Sequence, residues 1–164
     1  MNPLSSGRRL FLDLDGVLAD FDAHYEKTFG EKTDRSKPTP KNFWKNIANN
    51  GSFFRDLPMM PDALALWEGA KKLHPNPIIL TGLTHVASET TERHKREWVA
   101  THISPLARVI VCPSKDKRLH GKPGDILVDD WTKYRALWEE MGGVFVLHTS
   151  AEESLAAVEK ELST

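Results

Sequence analysis

Phe11-Leu12-Asp13-Leu14-Asp15-Gly16-Val17-Leu18 sets one acid inside an apolar, strand-like run and a second acid at a glycine turn. An acid buried among such neighbours costs several kcal/mol if it stays charged and unpaired. Two carboxylates so placed want a cation, and a hard divalent ion such as magnesium, with a phosphate on its far side, answers that need. Gly16 lets the backbone turn sharply and is expected to aim amide groups at the anion beside the ion.

Outward from this run, short apolar stretches at 10–14, 78–81, 108–112, 126–129 and 144–147 read as five buried strands. Helical periodicity occupies 62–73, 86–101 and 133–141, and 151–162 closes the chain. Strand alternating with helix predicts an α/β fold on a doubly wound parallel sheet. Gly142-Gly143 reads as a helix stop, and Ser150 with Glu153 three residues on reads as an N-terminal cap.

One region breaks the alternation. Residues 20–60 separate the first two strands by far more than a crossover helix needs. We expect a core of residues 1–19 and 61–164, with 20–60 inserted after the first strand as a small helical cap. Within it, 31–41 is charged, carries Pro38 and Pro40, and should be loop. Asp20 stands where a helix N-cap is expected. These 41 residues hold seven of the 14 aromatics, among which Trp44, Phe53 and Phe54 are the candidates for substrate contact. The other reading of each ring is packing, because a small cap needs large side chains to make a core.

A chain of 164 residues suits one domain with a modest insertion. With 22 basic and 23 acidic residues, its net charge of -1 argues against a nucleic-acid polymer as partner and leaves a small anion open. Cys112, the only cysteine, excludes an internal disulfide, is expected in a strand core, and with the absence of a membrane-length apolar run or a signal-peptide pattern points to the cytoplasm. The seven histidines lack zinc-site spacing, and most are read as surface residues.

Polar residues recur at other strand ends. Thr81-Gly82 closes the second strand, Lys115 and Lys117 follow the third, and Asp129-Asp130 closes the fourth. Ligand sites in open α/β sheets lie beyond the strands' carboxyl ends, so these residues are expected to converge on Asp13 and Asp15. Lys122, in His120-Gly121-Lys122-Pro123-Gly124, competes with Lys117 and Lys115 as the functional lysine.

In this order the chain resembles the haloacid-dehalogenase superfamily of phosphohydrolases, with Asp13-x-Asp15-Gly16-Val17 as first motif, Thr81 as second, Lys117 as third and Asp129-Asp130 as fourth. It is most similar to the small-capped 5'(3')-deoxyribonucleotidase group, through Asp13 to Phe21, Phe53-Phe54 before Leu57-Pro58, Lys95-Arg96-Glu97-Trp98-Val99 and Lys115-Asp116-Lys117. The resemblance implies a magnesium-dependent phosphomonoesterase that hydrolyses a small phosphate ester, in first place a nucleoside 5'(3')-monophosphate, through an aspartyl-phosphate. Asp13 would be the nucleophile and Asp15 the general acid and base. Thr81, Gly82, Lys115 and Lys117 would bind the phosphate. Mg2+ would be held by Asp13, the Asp15 carbonyl and Asp129, with Asp130 acting through water. No membrane partner is implied, and a homodimer is allowed.

The chain departs from that group in three places. Gly82-Leu83-Thr84 follows Thr81 where the group has a serine or threonine and a proline. Twelve positions part Lys117 from Asp129, slightly more than usual, and Asp62 replaces a common glycine. A phosphatase for a sugar phosphate or another metabolite therefore stays open. So does a non-catalytic binding or phosphoacceptor signalling domain, although receiver modules place their acids, threonine and lysine in a different order.

Overall fold

Leu10–Leu12 (β1) lies in the middle of a five-stranded sheet whose neighbouring strands are all parallel. The structure is a computed structural model that describes residues 7–164. Ile78–Gly82 (β2) and Arg108–Cys112 (β3) extend the sheet on one side, and Ile126–Asp129 (β4) and Val144–Leu147 (β5) on the other, giving the order β3-β2-β1-β4-β5. Phe11 is in register with Ile78 and Leu127, and Leu12 with Ile79 and Val128. The three-residue β1 is fully apolar because both of its faces are covered.

Between the strands run the helices Phe21–Phe29 (α1), Phe43–Asn50 (α2), Ala63–Leu73 (α3), Ser88–His102 (α4), Arg135–Glu140 (α5) and Ala151–Leu162 (α6), with a 3-10 helix at Ser114–His120. Alternation along the strands divides the core. Leu10, Leu12, Ile79, Ile126 and Val128 pack with Leu66, Trp67, Ala70, Trp98, Val99, Val158 and Leu162. Phe11, Ile78, Leu80, Leu127 and Phe145 pack with Cys112 and Trp138. The Trp138 indole meets Phe11 edge to face at 5.6 Å and donates to the Val144 carbonyl at 3.1 Å. The Gly142-Gly143 pair serves this packing as well as the helix stop: Gly142 has φ +99°, and a Cβ on Gly143 would stand 2.3 Å from the Trp138 indole nitrogen.

Residues 20–60 leave the sheet and return to it at one point. Asp20 N–H donates to the Pro58 carbonyl and Met60 N–H to the Leu18 carbonyl, both at 2.8 Å. The Asp20 carboxylate caps α1 by accepting from Ala23 N–H at 3.1 Å, as its position predicts. α1 and α2 meet through rings, with Tyr25 stacked on Phe43 at 4.7 Å, and the buried Phe53 just beyond α2 closes on Phe21 edge to face at 5.2 Å. Residues 31–41 form neither helix nor strand, as expected from their composition. Trp98 fastens the segment to α4 by donating from its indole to the Leu57 carbonyl at 2.7 Å.

Several element bounds shift for local reasons. The first strand ends at Leu12 instead of residue 14, because the Leu14 carbonyl folds back to accept from Val17, Leu18 and Ala19, although Asp13 N–H still donates to Val128 at 2.9 Å. Lys115 and Lys117 sit in the 3-10 helix. The surface reading of the histidines fails for His74, His94 and His148, which are buried; His74 and His148 bond the Arg8 carbonyl and the Ser154 hydroxyl. Ser150 caps α6, accepting from Glu153 N–H at 3.2 Å. No helix among the described residues is long and apolar enough to cross a membrane.

Candidate active site at the carboxyl ends of the strands

Because β1 has β2 on one side and β4 on the other, the residues that leave these strands meet without help from the loops. Asp13, one residue beyond β1, points one carboxylate oxygen at Lys117 Nζ, 2.9 Å away. The same ammonium donates to Asp129 Oδ2 at 3.0 Å, and Asp129 Oδ1 accepts from Trp131 N–H at 2.9 Å. Asp13, Asp129 and Asp130 each present a carboxylate oxygen, all within 4.8 Å of one another. Of the three lysines that the sequence leaves open, Lys117 is the one in this cluster. Lys115 is exposed on the rim of the cavity, and Lys122 is exposed at a turn where its N–H serves Asp125.

The three carboxylates of Asp13, Asp129 and Asp130, with Lys117 and the Arg35 guanidinium against them, are one positive charge short. Burial, reinforced by the neighbouring Asp129 charge and opposed by Lys117, lifts the Asp13 carboxyl from 3.8 to about 7. Burial and the Asp13 charge lift Asp130 to about 7 against the pull of Arg35. Burial works against the Lys117 charge, but Asp13 and Asp129 outweigh it and hold its pKa above the ordinary lysine value. The Asp130 Oδ1 and Asp15 Oδ1 atoms are buried and have no hydrogen-bond partner. An all-oxygen set of this charge, with an unpartnered oxygen on Asp130, fits a hard divalent cation such as Mg2+, which Asp13, Asp129 and Asp130 could hold. The Asp15 side chain stands outside that set.

Gly16 makes the sharp turn expected of it, but its own amide does not serve the anion. Its N–H is spent within the turn on the Ala19 carbonyl at 2.8 Å, so it is not aimed at an anion. What the turn needs is φ +83° and bare space, since a Cβ there would stand 1.9 Å from Asp130 Oδ2. The glycine thus lets Asp130 approach the Asp13-Asp15 loop.

Thr81 and Gly82 arrive at the cluster through a residue to which the sequence reading gave no role. Lys95, on the buried face of α4, donates to Asp15 Oδ2 at 2.9 Å, Thr81 Oγ1 at 3.0 Å and the Gly82 carbonyl at 2.6 Å. Its ammonium also stands 4.7 Å from the centre of the Phe54 ring. Thr81 is fully buried and does not line the cavity, whereas Gly82 does. The signal for Lys95 was present: it shares a helical stripe with Thr91, Trp98 and Val99, all buried, where a lysine must find partners. Arg35, also missed, donates from Nη1 to Asp130 Oδ2 at 2.8 Å, and nothing in its charged loop distinguishes it from its neighbours.

The cluster opens into a cavity of about 1530 Å³. Trp44 and Phe54 line it together with Phe21, Tyr25 and Phe43, and Trp131 and Tyr134 add a second aromatic pair. Phe53 is corrected to a core residue: it is 2% exposed, enclosed by Phe21, His24, Phe29 and Phe54, and does not line this cavity. Neither a scan against protein-family models nor a search of curated proteins finds a match to the chain.

The raised carboxyls give a stability signature. A group whose folded pKa exceeds its unfolded value stabilises fully below the unfolded value and loses that contribution as pH rises through the folded one. For Asp13 and Asp130 the window runs from 3.8 to about 7. His24 and His148, held low by burial, act in the opposite sense below their ordinary 6.5. Above pH 6.5 only the last part of that window remains and the histidines no longer oppose it, so the metal-stripped protein should lose about 1 kcal/mol by pH 8.5, or about 3 °C in Tm. Magnesium should restore it at pH 8.5. A scanning-fluorimetry profile flat in pH and indifferent to magnesium would contradict the charge balance described.

Proposed function

We propose that the protein is a magnesium-dependent phosphomonoesterase of the haloacid-dehalogenase type that acts through an aspartyl-phosphate, with a nucleoside monophosphate as substrate. In this reading the sheet is the doubly wound core of 1–19 and 61–164, residues 20–60 are its cap, and the enzyme works in the cytoplasm. The observation that carries the reading is the Asp13 carboxylate, fixed by Lys117 beside Asp129 and Asp130 and facing an aromatic-lined cavity. A magnesium ion held by Asp13, Asp129 and Asp130 would neutralise nucleophile and phosphate so that the like charges can approach.

With one Asp13 oxygen bonded to Lys117, the other attacks phosphorus in line, and the bond from phosphorus to the ester oxygen breaks. The departing alkoxide takes its proton from Asp15, whose Oδ1 is unpartnered while Lys95 holds Oδ2. Asp15 then removes a proton from water, whose oxygen attacks the phosphorus and releases Asp13 and inorganic phosphate. Lys117 offsets charge on the transferring group, and the rings of Trp44 and Phe54 offer flat apolar surface to a base.

The test is phosphate release from a panel of nucleoside 5'- and 3'-monophosphates and sugar phosphates. Turnover should require magnesium, stop with EDTA, and favour nucleotides by about tenfold or more, since a base stacked on such rings contributes ~1–3 kcal/mol. Release confined to sugar phosphates would move the substrate class and keep the chemistry. No release from any ester would defeat the reading.

A further inference from the structure

Three cations touch the acid cluster, and they differ in origin. Lys95 and Lys117 are buried and each bonds several acceptors at the strand ends. Arg35 projects from the 31–41 stretch, and its side chain is 39% exposed. Its 2.8 Å contact with Asp130 is, among the described residues, the one hydrogen bond by which that stretch reaches the sheet. The guanidinium carbon also lies 5.9 Å from the centre of the Trp131 ring. Of the three cations, Arg35 is therefore the one with fewest bonds to break and most room to move.

Under the phosphatase reading, on which this inference rests, Asp130 is needed elsewhere. A divalent cation taken up on the unpartnered Asp130 Oδ1 would repel the guanidinium on Oδ2 of the same carboxylate and so weaken the Arg35 contact, which rests on a single hydrogen bond. A phosphate monoester brings about two negative charges to Asp13 at that moment, and the charge of Asp13 already bears on Arg35. The planar fork of arginine matches two phosphoryl oxygens. We propose that Arg35 is a substrate-phosphate ligand carried by the 31–41 stretch, exchanging the Asp130 carboxylate for the ester's phosphoryl oxygens when Asp130 binds a divalent cation.

The exchange makes two opposite predictions for Arg35→Gln, a substitution at an exposed loop. Its KM for the best ester should rise about tenfold or more, with the loss in KM rather than kcat, and inorganic phosphate should bind the magnesium-loaded protein correspondingly more weakly. Without phosphate, magnesium measured by calorimetry should bind the variant about fivefold more tightly, because a competitor for Asp130 is gone. A structural role for Arg35 would not tighten magnesium binding. Unchanged KM and phosphate affinity, or magnesium affinity that is unchanged or weaker, would overturn the proposal. If wild type turns over no ester, the phosphatase reading fails by itself, and the magnesium and phosphate titrations alone decide the role of Arg35.

Discussion

Asp13→Asn should abolish phosphate release, by about 10⁴-fold or more against the best ester, with folding intact. The amide occupies the same space but lacks the charge and lone-pair basicity that attack on phosphorus requires. Lys117 keeps Asp129 as an ion-pair partner, so no buried ammonium is stranded. Removing a carboxyl that burial and Asp129 lift to about 7 also removes a destabilising charge above neutral pH. The variant without metal should accordingly melt no lower than wild type at pH 8.5, while its affinity for magnesium falls with the loss of one anionic ligand. Phosphate release and melting, measured on the same preparation, separate the two effects. Residual turnover above about 1% of wild type would remove Asp13 from the nucleophile's place and point to direct attack by water.

Much of this arrangement was legible because it depends on strand ends. The runs at 108–112, 126–129 and 144–147 become strands with the bounds read from the sequence, and a central β1 makes the convergence of Asp13, Thr81 and Asp129 a matter of topology. Lys117 was legible as a residue that follows β3, but its choice over Lys115 and Lys122 required the 3-10 helix that turns it inward. What escaped depends on partners distant in sequence. Lys95 acts on a carboxylate 80 residues away and Arg35 on one 95 away. Phe53 and Trp44 are alike in type and neighbourhood, and only packing decides that one fills the aromatic core while the other faces the cavity. Gly16 was read for its turn, yet the contact that restricts the position comes from Asp130, one residue beyond β4.

Under the proposed mechanism Asp15 allows the sharpest division of labour, because it would act in both halves of the reaction. In Asp15→Asn, hydrolysis of an alkyl phosphate should fall by about 10³-fold, since an alkoxide leaves poorly without a proton. With p-nitrophenyl phosphate the first half needs no such help, because nitrophenolate is a good leaving group. Attack by Asp13 then proceeds, but water is no longer deprotonated for the second half, and the phosphorylated protein accumulates. The expected trace is a burst of about one nitrophenolate per chain followed by slow release, with acid-stable quantitation showing phosphate bound to the chain. Lys95 retains the Thr81 hydroxyl and the Gly82 carbonyl in this variant, so the change falls on proton transfer and leaves the floor of the site in place. Equal losses for the alkyl and aryl esters without a burst would show that Asp15 acts through position or charge instead of as a proton carrier. The division between Asp13 and Asp15 would then have to be redrawn around Lys95.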